Sequence, residues 1–330
     1  MCESSGVNVA VIGLGLIGGS LLQALAARGH RTIGFDADPA TRTTARTAAA
    51  RAATGTRWQV AGTIHDAINE ADLVVLAVPL PAVPAVLREL AGYSGLITDV
   101  TSVKGPVRDL TGDFAFVGGH PMAGKETSGF RSADPALFAG CAWVLCVEPD
   151  RTSLPDWLTL AELLTGLGAR IVPTTADEHD RAVAAVSHVP HLLAAALATA
   201  VADDPLAAAL AAGSFRDGTR VAGSRPDLVA AMCGGNATAV GPALDGVQET
   251  VEDLRAALAA PDPVAALRPL LARAAAARTA WPPVPGEQTT LPARPDVLLR
   301  LGQVGGWVTA VDRQRREVVA MRPETDRNAS

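Results

Sequence analysis

One histidine of this 330-residue chain stands in a setting typical of a ligand site. His120 lies between a glycine pair and a proline in the segment GGHPMAGKETSGF, which runs from Gly118 to Phe130. The preceding residues, FAFVGG, predict a short strand, and open α/β sheets bind ligands at the carboxyl ends of their strands. An imidazole there could take or release a proton near neutral pH. Taken alone, the segment fits a general base and an ordinary turn histidine equally well.

A second polar segment, DVTSVKGPV, follows the apolar run LITDV, which predicts another strand. This arrangement should bring Thr101, Ser102 and Lys104 to the same edge of the sheet as His120. We assign Thr101 to cofactor binding. The Ser102 hydroxyl could donate a hydrogen bond to an imidazole or to a substrate hydroxyl, or it could cap a helix by satisfying backbone amides.

Two further segments carry histidines and arginines. In SHVPHLL, His188 and His191 are three residues apart, so they share a face if the segment is helical. No third ligand accompanies them, so we expect no metal, and a buried structural role and a substrate-facing role both stay open. In GSFRDGTRVAGSRPD, one of Arg216, Arg220 and Arg225 could bind a carboxylate, whereas any single one could equally be solvated at the surface.

The elements that would position these residues begin with a dinucleotide-binding pattern. An apolar strand, VNVAVIG, leads into GLGLIGGS, which supplies Gly13, Gly15 and Gly18 in the spacing GxGxxG before a helix. The next strand ends in Asp36, about 20 residues on, where a carboxylate accepts hydrogen bonds from the ribose hydroxyls of the cofactor. An acid there repels a 2′-phosphate, so the pattern predicts NAD rather than NADP.

The chain divides into three parts by pattern. Apolar runs alternate with helical patterns over residues 1–173, which predicts an α/β Rossmann-type doubly wound sheet closed by Ala169–Val172. Alanine-rich helical runs follow over residues 174–280, which predicts an all-α domain that pairs with a second copy in a homodimer. Residues 281–330 form a short tail in which WVTAVDRQRREVVAMRP predicts a β-hairpin, either a small appendage or an edge strand.

Composition excludes several classes of partner. The net charge of −6 and the pI near 5.5 argue against nucleic acid or an anionic membrane surface. Four cysteines without a CxxC pair, and a strand close to the N-terminus, favour a reduced, cytoplasmic protein without a signal peptide. The uncharged run 182–202 is long enough to span a membrane, but its alanine content and its central histidines favour a buried helix, of a kind often found at subunit interfaces.

In this order and at these separations, the segments GLGLIGGS, DVTSVKGPV, GGHPMAGKETSGF, SHVPHLL and FRDGTRVAGSRPD resemble the prephenate dehydrogenase family, over about residues 7–280. HPMAG and SHVPH carry this resemblance more specifically than the glycines do. The resemblance implies a Rossmann domain followed by a helical dimerisation domain. It also implies NAD-dependent oxidative decarboxylation of prephenate, a small dicarboxylate, to 4-hydroxyphenylpyruvate in tyrosine biosynthesis.

The resemblance further implies roles for individual residues. His120 matches the catalytic histidine, which hydrogen-bonds the ring hydroxyl of the substrate, and Ser102 matches the serine that orients it. Arg220 matches the arginine that binds a substrate carboxylate. Glu126, His188 and His191 match active-site positions of lesser or more variable role.

Other functions stay open from the sequence. Arogenate differs from prephenate by an amine in place of the keto group, and neither it nor an amino-deoxyprephenate analogue can be separated from prephenate by these motifs. A 3-hydroxyacid dehydrogenase would need a lysine on the first long helix of the helical domain, where this chain has histidines. A non-enzymatic NAD-binding sensor would need the glycine segment but not His120, Ser102 and Arg220 together. The tail after Trp281 is too short for a complete ACT regulatory domain, which leaves tyrosine feedback open.

Overall fold

The computed structural model of the protein describes residues 6–324; Cys2 and the last six residues of the predicted tail lie outside this range. The chain divides into two compact units. The sheet unit ends at His179 and also contains Gln288–Arg322, and the helical unit contains Asp180–Glu287. The division lies inside the helix that begins at Ala176. It comes six residues after residue 173, where the sequence patterns place the first domain boundary.

The strands all belong to two six-stranded sheets. In chain order they are β1 (Asn8–Ile12), β2 (Arg31–Phe35), β3 (Gln59–Val60), β4 (Leu73–Leu76), β5 (Leu96–Asp99), β6 (Phe116–Val117), β7 (Gly119–Pro121), β8 (Ala142–Cys146), β9 (Arg170–Thr174), β10 (Pro285–Pro292), β11 (Trp307–Asp312) and β12 (Glu317–Pro323).

The helices connect these strands and build the helical unit. In chain order they are α1 (Leu16–Ala27), α2 (Pro39–Arg51), α3 (Ile64–Ile68), α4 (Val83–Glu89), α5 (Gly105–Leu110), α6 (Leu154–Thr165), α7 (Ala176–Val183), α8 (Val189–Ala198), α9 (Pro205–Leu210), α10 (Gly213–Thr219), α11 (Pro226–Gly235), α12 (Ala237–Leu258), α13 (Pro263–Thr279) and α14 (Pro295–Gln303).

The first sheet has the strand order β3-β2-β1-β4-β5-β6, and each neighbouring pair of its strands is parallel. This is the order of a dinucleotide-binding sheet, with the switch point between β1 and β4. The apolar run of β1 is continuous because both of its faces are covered: Val9 and Val11 pack into the core with α1, whereas Ala10 and Ile12 pack into the core with α4. The predicted fold class, a Rossmann-type domain followed by an all-α domain, is confirmed.

The prediction of a single sheet closed by Ala169–Val172 is wrong. That segment lies in β9, inside a second, mixed sheet with the order β10-β12-β11-β9-β8-β7. The chain leaves the first sheet after β6 and enters the second at once as β7. Gly119 passes so close to β5 that a Cβ atom there would lie 2.7 Å from the Asp99 carbonyl oxygen. His120 therefore follows the end of β6, as expected, but it is also the middle residue of β7.

The C-terminal segment is part of the second sheet. The hairpin expected there is formed by β11 and β12, which pair antiparallel, but it is neither an appendage nor an edge, since β10 covers one side and β9 the other. Burial explains this position: Val308, Val318 and Ala320 are 0% exposed and join the core that also contains α1.

The helical unit begins with a long apolar stretch. From Ala176 to Val201 the helical backbone is long and apolar enough to cross a membrane by composition, and 28% of its most apolar part is buried within the chain. The prediction of a buried helix is therefore met on one face only, since Val186 and Leu197 are 71% and 55% exposed. A π-helical turn, Ala184–His188, interrupts it just before Pro190, which has no N–H for a regular helical bond.

Candidate active site

The glycine segment connects β1 to α1 and is tied to the end of β2. A Cβ atom on Gly18 would overlap the carbonyl oxygen of Gly13, so only glycine permits this close packing of helix and turn. Gly15 is the N-cap of α1 and provides no side-chain cap, and a Cβ atom on it would meet nothing within 4 Å. The first-turn amides of α1 therefore face open space, which suits a phosphate group.

Asp36 lies beside this turn, as the sequence predicts. Its Oδ2 accepts a hydrogen bond of 2.7 Å from the Leu14 amide, and its Oδ1 accepts one of 2.9 Å from the Asp38 amide. Arg42 donates to the Asp36 carbonyl oxygen at 2.6 Å and so braces the backbone of this residue. The structure thus brings the carboxylate and the three glycines together at the carboxyl edge of the first sheet.

A buried ion pair holds the backbone just before His120. Lys104 and Asp99 are 1% and 0% exposed and form a salt bridge with each other. Lys104 Nζ donates to the Gly119 carbonyl oxygen at 2.6 Å, and Asp99 Oδ1 accepts from the Gly119 amide at 3.0 Å. We call this arrangement the Asp99–Lys104 clamp. It fixes both hydrogen-bonding groups of Gly119, and so it sets the position of the strand that carries His120.

The Thr101 hydroxyl is hydrogen-bonded to both members of the Asp99–Lys104 clamp. It lies within hydrogen-bond distance of the Asp99 carboxylate and accepts a bond from Lys104 Nζ at 3.1 Å, and the residue is 7% exposed. This use of the hydroxyl differs from the cofactor contact expected from the sequence. Ser102 is half-buried, and within residues 6–324 it forms no hydrogen bond to His120.

His120 is half-buried and contacts a second imidazole. Its Nδ1 lies 2.9 Å from Nε2 of His179, with the ring centroids 5.1 Å apart and the ring planes at 77°. His179 is 2% exposed. Sequence reasoning missed His179, since the segment TTADEHD lies at the start of residues 174–280, which the patterns identify only as helical. We call His120 and His179 the imidazole pair.

A charged carboxylate lies next to His179 at the start of α7. Gln303 donates to Glu178 Oε1 at 2.9 Å, and this bond, with further bonds from Thr174 and Thr175, holds the pKa of Glu178 below its usual value although partial burial opposes the shift. Glu178 also receives the Thr175 amide at 3.4 Å, as expected for an acid in the first turn of a helix. The start of α7, and with it His179, is therefore fixed by a charged group.

Glu126 lies on the exposed loop after β7. The neighbouring Lys125 forms a salt bridge of 2.9 Å with Asp134, which closes this loop onto the segment before β8. The Lys125 bond and the Ala136 amide hold the pKa of Asp134 below its usual value. The loop follows directly on the strand of His120, so Glu126 and His120 belong to one continuous segment of the sheet unit.

The two histidines of SHVPHLL differ in environment. His188 is 0% exposed, and its Nδ1 lies 3.1 Å from Nδ2 of Asn236, which also donates to the Asp180 carbonyl oxygen at 2.7 Å. This contact supports the buried structural role for His188. Nδ1 of His191 is buried without a hydrogen-bond partner in the described part of the chain. No three His, Cys, Asp or Glu side chains of residues 6–324 are grouped as a metal site.

The three arginines of the segment GSFRDGTRVAGSRPD lie at the surface of the helical unit. The Arg216 side chain is 80% exposed, and within residues 6–324 its ion pair is with the neighbouring Asp217 at 3.6 Å, which supports surface solvation for this arginine. Arg220 begins a short 3-10 turn, Arg220–Gly223, that packs on α8, and its side chain is exposed. Arg225 is the N-cap residue of α11 and is also exposed.

Two family models match the sequence one after the other. The model described as the nucleotide-binding domain of prephenate dehydrogenase matches residues 21–173, and the model described as its dimerization domain matches residues 175–270. Together they cover most of the chain, and the break between them lies close to the start of α7.

Individual proteins agree with these models. The prephenate dehydrogenase of Bacillus subtilis is 36% identical over 237 residues, which are 67% of this chain and 62% of that protein. The cyclohexadienyl dehydrogenase of Zymomonas mobilis is 34% identical over 271 residues, 77% of this chain and 89% of that protein. The arogenate dehydrogenase structure from Synechocystis matches at 30% identity and a TM-score of 0.71, over 83% of this chain and 100% of that one. The chain thus spans less than two thirds of the Bacillus protein.

Proposed function

The chain belongs to the prephenate dehydrogenase family, and we propose that it oxidises and decarboxylates prephenate to 4-hydroxyphenylpyruvate with NAD. In this reaction a hydride leaves C4 of the ring while the hydroxyl on that carbon loses its proton and becomes a carbonyl. Carbon dioxide then leaves, and its bonding electrons complete the aromatic ring. The protein has to bind a dianion, orient C4 and accept one proton.

The glycine turn and Asp36 would hold the cofactor. The open space at Gly15 and the uncapped first turn of α1 suit the pyrophosphate, and the fixed carboxylate of Asp36 suits ribose hydroxyls. The same carboxylate disfavours a 2′-phosphate, so we propose NAD rather than NADP. When bound, NAD accepts the hydride that leaves the substrate.

His120 is the proposed general base. It lies on β7 at the carboxyl edge of the first sheet, and its backbone is held by the Asp99–Lys104 clamp through Gly119. Because Nδ1 is engaged with His179, the proton of the substrate hydroxyl would go to Nε2. A base positioned in this way typically contributes about 10² to 10⁴ in rate. Ser102, half-buried on the neighbouring strand end, is proposed to contact the same hydroxyl.

Arg220 is proposed to bind a substrate carboxylate. Arg220 is an exposed residue, a guanidinium has the paired N–H groups that match a carboxylate, and a fixed arginine orients a dianion as well as binding it. Glu126 and His191 are proposed as further substrate-side residues. The His191 proposal is supported by its buried Nδ1, which has no partner within residues 6–324 and so is left for a ligand.

The proposal is carried by the positions of His120 and the dinucleotide-binding turn, since the first follows β6 and the second follows β1 of the same parallel sheet. It is tested by mixing the purified chain with NAD and prephenate and recording NADH at 340 nm together with the release of carbon dioxide. Equal amounts of both products are expected, with a much higher kcat/KM for NAD than for NADP. NADH formed without carbon dioxide would mean that the chain only oxidises its substrate, and no NADH at all would refute prephenate as the substrate.

Arogenate is the second candidate substrate. The similarity to the Synechocystis arogenate dehydrogenase favours it, and an amino-deoxyprephenate analogue is a third option of the same chemistry. The ratio of kcat/KM values for the three compounds at equal NAD decides among them. NAD binding without turnover of any of the three would favour a non-enzymatic sensor.

The working form is proposed to be a cytoplasmic homodimer joined through the helical unit. Large apolar side chains of this unit are exposed in the single chain, among them Leu206 at 68%, Leu210 at 72% and Val264 at 70%. Surfaces of this kind usually mark a protein interface. Sedimentation of the purified chain should give about twice the mass of 33.7 kDa; a single-chain mass at micromolar concentration would refute the dimer.

A further inference from the structure

A second histidine contacts the proposed base and has no role in the reaction described above. We propose that His179 is a positioning residue that accepts a hydrogen bond from Nδ1–H of His120, so that Nε2 of His120 carries no proton and can accept that of the substrate hydroxyl. The proposal rests on the assignment of His120 as the general base. It concerns only residues of the sheet unit.

Both members of the imidazole pair are held by their backbones. His120 pairs with Val144 across β7 and β8 and follows the clamped Gly119. His179 donates its amide to the Thr175 carbonyl oxygen at 2.9 Å in the first turn of α7. The separation of 2.9 Å between Nδ1 and Nε2 is that of a hydrogen bond, and the ring planes meet at 77°, edge to face. The contact is therefore built into the fold of the unit.

One proton lies between the two facing nitrogens. Which imidazole carries it decides whether Nε2 of His120 can act as a base. If His179 donates, the neutral His120 carries its proton on Nε2 and cannot accept another there. If His120 donates from Nδ1, its Nε2 has a free lone pair and can act as a base. Only the second arrangement is compatible with proton transfer from the substrate hydroxyl to Nε2. His179 then acts as the acceptor that selects this tautomer.

The same bond would strengthen during the reaction. When Nε2 of His120 takes the proton of the hydroxyl, the ring becomes positively charged and its Nδ1–H still points to His179. A hydrogen bond from a charged donor is roughly twice as strong as one between neutral groups. His179 is 2% exposed, so water competes little for this bond. His179 would thus favour the protonated base that forms as the hydride leaves.

Two substitutions of His179 separate hydrogen bonding from packing. In His179→Gln the amide oxygen can reach roughly the position of the imidazole Nε2 and accept the bond, whereas His179→Leu fills similar space and accepts nothing. We expect His179→Leu to lower kcat by about 10- to 100-fold, which is part of the 10² to 10⁴ of a general base. The KM values for NAD and prephenate should stay within about threefold, and His179→Gln should recover most of the kcat.

The tautomer of His120 can be determined in the resting protein, without measuring enzyme turnover. In wild-type protein labelled with 15N-histidine, the long-range 15N spectrum should show His120 protonated at Nδ1 and bare at Nε2, with the signals assigned from the His120→Asn spectrum. Protonation of resting His120 at Nε2 would overturn the proposal, whether or not the variants fold. A His179→Leu enzyme with wild-type kcat would overturn it too, as would equal loss in the Gln and Leu variants when both fold. Failure of wild-type protein to oxidise prephenate would refute the proposed function, but the spectrum would still test the tautomer.

Discussion

Replacing Lys104 by methionine should destabilise the sheet unit more than any surface charge change. The substitution removes the cation of the Asp99–Lys104 clamp and leaves Asp99, which is 0% exposed, as a buried carboxylate without its ion-pair partner. Removing one partner of a buried pair typically costs about 3 to 5 kcal/mol. The bond to the Gly119 carbonyl oxygen is lost as well, so this backbone oxygen also becomes unsatisfied.

The chain offers a matched control, since its only other lysine, Lys125, forms a salt bridge in which both side chains are 39% exposed. Exposed pairs contribute about 0 to 1 kcal/mol, so Lys125→Met should unfold almost as the wild type does. The double variant Asp99→Asn/Lys104→Met, which buries no lone charge, should recover much of the loss. Urea unfolding followed by tryptophan fluorescence reports on the sheet unit, which holds four of the five tryptophans. The clamp is refuted if Lys104→Met costs less than about 1 kcal/mol.

Three further predictions follow from single positions. Gly15→Ala should leave the melting temperature of the free protein unchanged but weaken NAD binding in calorimetry, whereas Gly18→Ala should lower the melting temperature as well, because only the second Cβ atom overlaps the chain. Arg220→Ala should raise the KM for prephenate by an amount equivalent to about 2 to 4 kcal/mol, and an unchanged KM would remove Arg220 from the site. Burial, with a smaller effect of Asp72, raises the pKa of Tyr93 to about 12. Tyr93 is the only tyrosine of the chain, so the folded protein should show no tyrosine absorbance step near pH 10. The contribution of Tyr93 to the free energy of unfolding should be lost as the pH rises from about 10 to 12.

Local patterns were sufficient to predict the first sheet. The continuous apolar run before Gly13 is buried on both faces, and the spacing from there to Asp36 reflects one strand, one turn and one helix. Successive strands and helices of one repeating pattern build this sheet, so periodicity and turn chemistry predict their arrangement. The resemblance to a family then supplied the expected roles of His120 and Arg220.

The second sheet and the polar interior could not be predicted in this way. β11 reaches β9 across more than a hundred residues, and no local pattern encodes that pairing. Lys104 was expected at the ligand edge because its segment follows a strand. In the structure it is buried instead, a rare position for lysine, and Asp99, five residues earlier in the chain, neutralises it. His179 was missed because its partner lies 59 residues away, and only the fold brings the two imidazoles together.

The most direct test of the proposed function compares His120→Asn with His65→Asn, a substitution of an exposed histidine on α3. Both variants should bind NAD and melt as the wild type does. NADH formation from saturating prephenate should fall by about 10²-fold or more in His120→Asn only, because asparagine cannot take the hydroxyl proton. A folded His120→Asn enzyme that keeps turnover within a few-fold of the wild type would contradict the assignment of His120 as the base.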